Sequence, residues 1–147
     1  MPGFADGRPV LPDERAEIAP LLVVSELQRS LQFYVERLGA AALEAWVSYA
    51  VLRLRAGRIH LVTPGPPIDD KPGISLAGPA DRNHPTGEVV LHVNDCHQVY
   101  AALVERGVRF LGPPNEPAWG GEIRCFLQDP DGHLIELSQT TGTDQPR

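Results

Sequence analysis

Residues 22–39, LVVSELQRSLQFYVERLG, and residues 91–107, LHVNDCHQVYAALVERG, are two versions of one pattern. In each, an apolar run of strand character ends in a polar corner, opens a helix and closes on Val-Glu-Arg shortly before a glycine. The shared Val-Glu-Arg stands at 35–37 and again at 104–106, an offset of 69 residues in a chain of 147. A repeat of this size implies two similar half-domains. Equivalent positions are then expected to face each other across a pseudo-twofold axis, and that symmetry is a route to a site.

Working outward, the first copy begins with a short apolar strand at 21–24, and Ser25 with Gln28 has the spacing of a capping box. Leu27, Leu31, Val35 and Leu38 then recur at helical intervals and predict one buried stripe ending at Gly39. Strand-like runs follow at 43–47, 49–55 and 58–63, with a tight turn at Ala56-Gly57. Alternation in the last run turns Ile59 and Leu61 to one face and Arg58, His60 and Val62 to the other. The second copy repeats this order: a strand at 88–93, a cap at Asn94-Asp95, and a helix burying Cys96, Val99, Tyr100 and Leu103. Strands at 108–111, 123–128 and 133–138 complete it. In the last of these Leu134, Glu136 and Ser138 share a face opposite Ile135 and Leu137. The DPDG turn at 129–132 has a conformational explanation: Asp129 and Asp131 set the turn and Gly132 supplies the permissive dihedral.

The expected architecture is therefore α+β, two tandem βαβββ modules forming a cupped mixed sheet. The expected organisation is an N-terminal arm at 1–17, a first module at 18–63, a Pro/Gly-rich linker or lid at 64–87, a second module at 88–139 and a tail at 140–147. No run of 18 apolar residues exists to span a membrane as a helix. The N-terminus lacks a basic region followed by an apolar one, so a cytoplasmic location is expected. Cys96 and Cys125 are too few for a disulfide framework and read as buried, reduced thiols. A formal charge of -6 with no Lys/Arg run argues against nucleic acid or an anionic membrane as partner.

The repeat also proposes a site. Equivalent positions at the starts of the first strands and in the closing strands are Ala19, His60, Glu88 and Glu136, and three of these are ionisable. His60 and Glu136 interrupt apolar strands on faces the helices leave open. Two carboxylates and an imidazole form a mixed N/O donor set suited to Fe, Mn, Ni, Zn or Mg. The alternative is a charge-assisted pair lining a polar pocket. His92, on the face of Glu88 and Val90, is a further contact. Trp119, with Trp46, Tyr49 and Phe126, supplies flat apolar walls for a ligand.

FYVERLG (33–39), LHVND (91–95), PAWGG (117–121) and FLQDPDGHLIEL (126–137), in this order within the repeated unit, resemble the vicinal oxygen chelate superfamily of glyoxalases, bleomycin-resistance proteins and extradiol dioxygenases. The resemblance covers residues 18–139. It implies paired modules, a homodimer whose cavities draw on both chains, and four metal-ligand positions that fall on Ala19, His60, Glu88 and Glu136. Ala19 cannot coordinate, and a second Glu stands where dioxygenase-like members carry a second His. The stretch from 113 to 137 looks particularly like the bleomycin-resistance-like members, which bind a small molecule without chemistry. The favoured expectation is a binding protein for an aromatic or cationic small molecule, with antibiotic sequestration as its role and no cofactor. The alternative is a lyase, isomerase or dioxygenase using one divalent metal ion on a substrate with vicinal oxygens.

Overall fold

A computed structural model describes Gly7 and residues 10–142; the remainder of the expected arm and tail lies outside the described residues. Strand β1 (Leu21–Val23) leads into helix α1 (Leu27–Leu31), which continues as a wider π-helical stretch over Gln32–Arg37. Three strands follow, β2 (Ala41–Ala45), β3 (Tyr49–Leu54) and β4 (Gly57–Val62). The second module contains β5 (Glu88–His92), helix α2 (Cys96–Glu105), β6 (Glu122–Gln128) and β7 (Leu134–Thr140). The first sheet has the order β1-β4-β3-β2 and the second β5-β7-β6. In each the first strand runs parallel to the closing strand while the other pairs are antiparallel, so both sheets are mixed.

The register carries the repeat into three dimensions. Leu21 sits opposite His60, and Val90, 69 residues after Leu21, sits opposite Glu136. The alternation also holds. Ile59, Leu61, Ile135 and Leu137 enter one core with Ala50, Leu52, Cys125 and Leu127, and Leu27, Cys96 and Leu103 from the helices close it. His60 and Glu136 lie on the opposite, helix-free faces by the period of two.

Three local expectations are corrected. Leu31, Val35 and Leu38 are only half-buried, and the residues that α1 and its continuation bury are Leu27, Ser30 and Tyr34. The π-helical widening places one more residue in the turn and rotates the buried stripe accordingly. Ser25 forms no capping box: the N-cap is Glu26 without a side-chain bond, and the Ser25 amide donates to Asp131 Oδ1 at 2.9 Å. The expected strand at 108–111 contracts to a single bridge, Phe110 with Leu127, before Gly112-Pro113-Pro114 turns the chain away. Proline has no N–H for a ladder.

Two interactions hold the modules in place. Arg37 Nη1 donates to the Arg106 carbonyl at 2.8 Å and Arg106 Nη1 donates to the Arg37 carbonyl at 3.1 Å, so equivalent residues cap each other's helices across the pseudo-twofold. At the DPDG turn the Asp129 carboxylate is 1% exposed. It accepts the Tyr34 hydroxyl at 2.8 Å and the amides of Asp131 and His133 at 3.0 and 2.9 Å. Asp131 reaches Arg29 Nη2 at 3.3 Å, and His133 Nε2 lies 2.7 Å from the Val23 carbonyl. The turn of the second module is thus docked on the β1–α1 corner of the first.

Burial, then the charge of Asp129, raises the Tyr34 phenol well above its usual range. A proton held more tightly in the fold stabilises it below the unfolded value near 10, and that contribution is lost as pH rises above 10 toward the folded value. Tyr34→Phe should therefore cost about 2 kcal/mol in urea unfolding at pH 8, and the gap to wild type should shrink above pH 10. Gly39 and Gly107 close the two helices with φ of 83° and 86°, and a Cβ at Gly107 would overlap the Arg37 guanidinium. Gly107→Ala should destabilise more than Gly39→Ala, with the difference vanishing in an Arg37→Ala background. A persistent difference there would show that the guanidinium is not its cause.

Candidate functional site

On the helix-free face of the first sheet the side chains at Tyr49, Val51, Arg53, Arg58, His60 and Val62 follow from the register of β3 with β4. The Tyr49 hydroxyl is hydrogen-bonded to His60 Nδ1. Their rings meet edge to face at 5.7 Å, and Trp46 tilts against Tyr49 at 5.6 Å. Trp46 itself is 55% exposed because the β2–β3 turn carries it past the end of the sheet. A row of three flat rings, Trp46–Tyr49–His60, results, open to solvent at the indole and half-buried at the imidazole.

The second sheet presents the equivalent face through Glu122, Arg124 and Phe126 on β6, Glu136 and Ser138 on β7, and Glu88, Val90 and His92 on β5. His92, Ser138 and Arg124 form one cross-strand row; Val90, Glu136 and Phe126 form the next. The Arg124 guanidinium lies 4.7 Å from the Trp119 ring centre and 5.1 Å from that of Phe126. Such stacking suits the planar, weakly hydrated guanidinium. Trp119 Nε1 donates to Glu122 Oε2 at 3.0 Å, and the Ser138 hydroxyl donates to Glu122 Oε1 at 3.3 Å. Trp119 is nevertheless 66% exposed. Its ring is anchored at the nitrogen and by Arg124 while most of its surface stays available.

All five expected wall residues, Trp46, Tyr49, His92, Trp119 and Phe126, belong to or border these faces. Trp46 joins Tyr49, and Trp119 joins Phe126 through Arg124. Ser138 was expected on the face of Glu136, whereas Arg124 and Glu122 escaped the sequence reading, although the alternation Glu122-x-Arg124-x-Phe126, opposite Glu136, marks them for the same face. The three expected metal donors behave differently from one another. Glu136 is fully buried, His60 is half-buried with Nδ1 engaged by Tyr49, and Glu88 is exposed at the start of β5. Among the described residues no group of three or more His, Cys, Asp or Glu is placed to hold a metal ion. Within one chain, His60, Glu88 and Glu136 are thus not assembled into a donor set, and Ala19 adds no donor.

Behind the second sheet, Cys96 and Cys125 are free, buried thiols with sulfurs 3.6 Å apart. Burial, aided by the neighbouring thiol and the charge of Glu136, pushes Cys125 up to about 12. Neither is an activated nucleophile. The arrangement as a whole offers aromatic stacking, a fixed cation and carboxylates, which are tools for recognition.

Comparison with known proteins places this geometry. Residues 16–137 match the family profile of the Glyoxalase/Bleomycin resistance protein/Dioxygenase superfamily. The chain belongs to this superfamily. Virulence protein STM3117 of Salmonella typhimurium is 30% identical over 121 residues, covering 81% of this chain and 80% of that protein. Its crystal structure aligns with a TM-score of 0.62, covering 90% of this chain and all of that one. The crystal structure of a superfamily protein from Nocardioides aligns with a TM-score of 0.70 at 22% identity, covering 92% of this chain and 90% of that one. This chain has two tandem βαβββ-like modules with mixed sheets, the second with three strands and the Phe110–Leu127 bridge, consistent with that superfamily's fold. Among the described residues no helix is long and apolar enough to cross a membrane.

Arg124→Ala, made in a Trp46→Phe background so that Trp119 is the sole indole, should cost under about 1 kcal/mol of stability. The same variant should lower the fluorescence anisotropy of Trp119. Unchanged anisotropy would show that the guanidinium does not restrain the ring.

Proposed function

We propose that this chain is a cytoplasmic small-molecule-binding protein that holds an aromatic or cationic ligand on its helix-free sheet faces, with antibiotic sequestration as its role. One observation carries the reading: each module presents a largely exposed indole near a ring of its open sheet face, Trp46 tilted on Tyr49 and Trp119, anchored to Glu122, joined to Phe126 through Arg124. Exposed aromatics held in fixed geometry provide contact area at little further cost in ordering. The acidic balance of the chain and the exposed Glu88 favour a cationic group on the ligand.

A homodimer in which the first module of one subunit meets the second module of its partner would join the two aromatic rows into one cleft. Leu21, Leu43 and Val47, all exposed on the first module, support such a contact. Tyr49 and His60 would then form one wall, Trp119 and Phe126 the other, and His92 the floor between them.

Titration calorimetry with bleomycin on chelator-treated protein tests the proposal. Saturation at one ligand per cleft is expected, with affinity at least tenfold weaker in Trp119→Ala. Absence of binding, together with one tightly held metal per cleft that disappears in His60→Ala, would overturn it in favour of the metal-dependent lyase, isomerase or dioxygenase.

A further inference from the structure

The pseudo-twofold that relates the modules is broken at one pair of corners. At the first, the β6–β7 turn is seated on β1–α1, and its carboxylates Asp129 and Asp131 find Tyr34, the Ser25 amide and Arg29. At the second, the β3–β4 turn approaches β5–α2 without such bonds and leaves a cavity of about 1170 Å³. The turn is short: Leu54 pairs directly with Gly57, so only Arg55 and Ala56 cross between the strands.

The charges at the two corners are opposite. His60 and Glu136 are equivalent and 76 residues apart; the same step back from Asp129 and Asp131 arrives at Arg53 and Arg55. Both arginines line the cavity, and Arg106 joins them from the end of α2. Arg29, the cation that meets Asp131 at the first corner, has Gln98 as its equivalent at the second, and Gln98 lines the cavity as well. No Asp or Glu is among the lining residues, in a chain whose net charge is -6. Leu54, Val99 and Leu103 supply apolar wall between the guanidinium groups.

Arg55 also occupies the left-handed region, with φ of 55°, as the only non-glycine residue to do so among the described residues. Gly or Asn would adopt that conformation more easily. The hairpin accepts a strained arginine at a position that lines the cavity.

We infer that the cavity between the β3–β4 turn and α2 binds a small organic carboxylate, its head group paired with Arg53 and Arg55 and its apolar body against Leu54, Val99 and Leu103. The ligand would supply from outside the carboxylate that the first corner receives from the chain's own Asp131. Arginine forks match carboxylate geometry in two parallel hydrogen bonds. The site runs along the edge of β5 and shares Arg53 and His92 with the helix-free faces, but none of Trp46, Tyr49, Trp119 and Phe126 lines it.

The test is a titration of isotope-labelled full-length protein with 1-naphthoate, followed by amide and indole chemical shifts. Saturable shifts at Arg55, Gly57, Gln98 and Ala102 are expected. Affinity should fall at least tenfold in the Arg53→Gln/Arg55→Gln double variant, remain unchanged in Trp119→Ala, and be at least tenfold weaker for uncharged 1-naphthalenemethanol. Shifts confined to the Trp119 indole and β6, equal binding of the uncharged probe, or undiminished affinity in the arginine variant would each overturn the assignment. So would a change in oligomeric mass in that variant with no naphthoate response in the wild type, which would mark the cavity as a contact for a second copy of the chain.

Discussion

A buried carboxylate fixes the geometry of this molecule. Asp129 is removed from water, a transfer that costs several kcal/mol unless the charge is met by donors. Three donors meet it, and they come from two modules: the amides of Asp131 and His133 from its own turn, and the Tyr34 hydroxyl from the other half of the chain. The turn therefore cannot leave the β1–α1 corner without stranding a charge. Together with the crossed Arg37 and Arg106 caps, it sets how the two sheets sit relative to one another, and hence where their helix-free faces point.

That placement explains how duplicated units come to have different surroundings. Both helices end at glycines 68 residues apart, Gly39 and Gly107, and both closing strands present a polar residue to the open face. Yet one hairpin carries acids and is bound to its neighbour, while the other carries arginines and stands off from it. Duplication provided the scaffold; divergence at the hairpin tips produced one sealed corner and one open cavity.

The same division runs through the sheet faces. Residues facing the helices are interchangeable apolar groups, and their burial needs only the correct period. Residues facing away combine into specific sets: Trp46–Tyr49–His60 on one sheet, and Trp119–Arg124–Phe126 with Glu122 and Ser138 on the other. Each set depends on the pairing of neighbouring strands, and Trp119 reaches its partners because the 112–121 loop folds back over β6, bridging Asn115 to Arg124.

The amino-acid sequence by itself determined the two modules, their element order and the faces of β4 and β7, because these follow from local periodicity and from a repeat that can be counted. Asp95 capping α2 through the Gln98 amide was legible in the same way, since capping is a contact between near neighbours. The stripe on α1 packs against the core as read but is buried only in part, because a π-helical stretch changes the period and brings Tyr34 inward, and the segment 108–111 reaches β6 through the single bridge of Phe110 with Leu127 before the chain turns away. Whether His60, Glu88 and Glu136 meet, where Arg124 lies, and that Asp131 faces Ser25 rather than solvent were decided only by tertiary structure. Those facts depend on register, hairpin length and the docking of one module on the other, which join residues as far as 106 positions apart in the chain and carry no local signature.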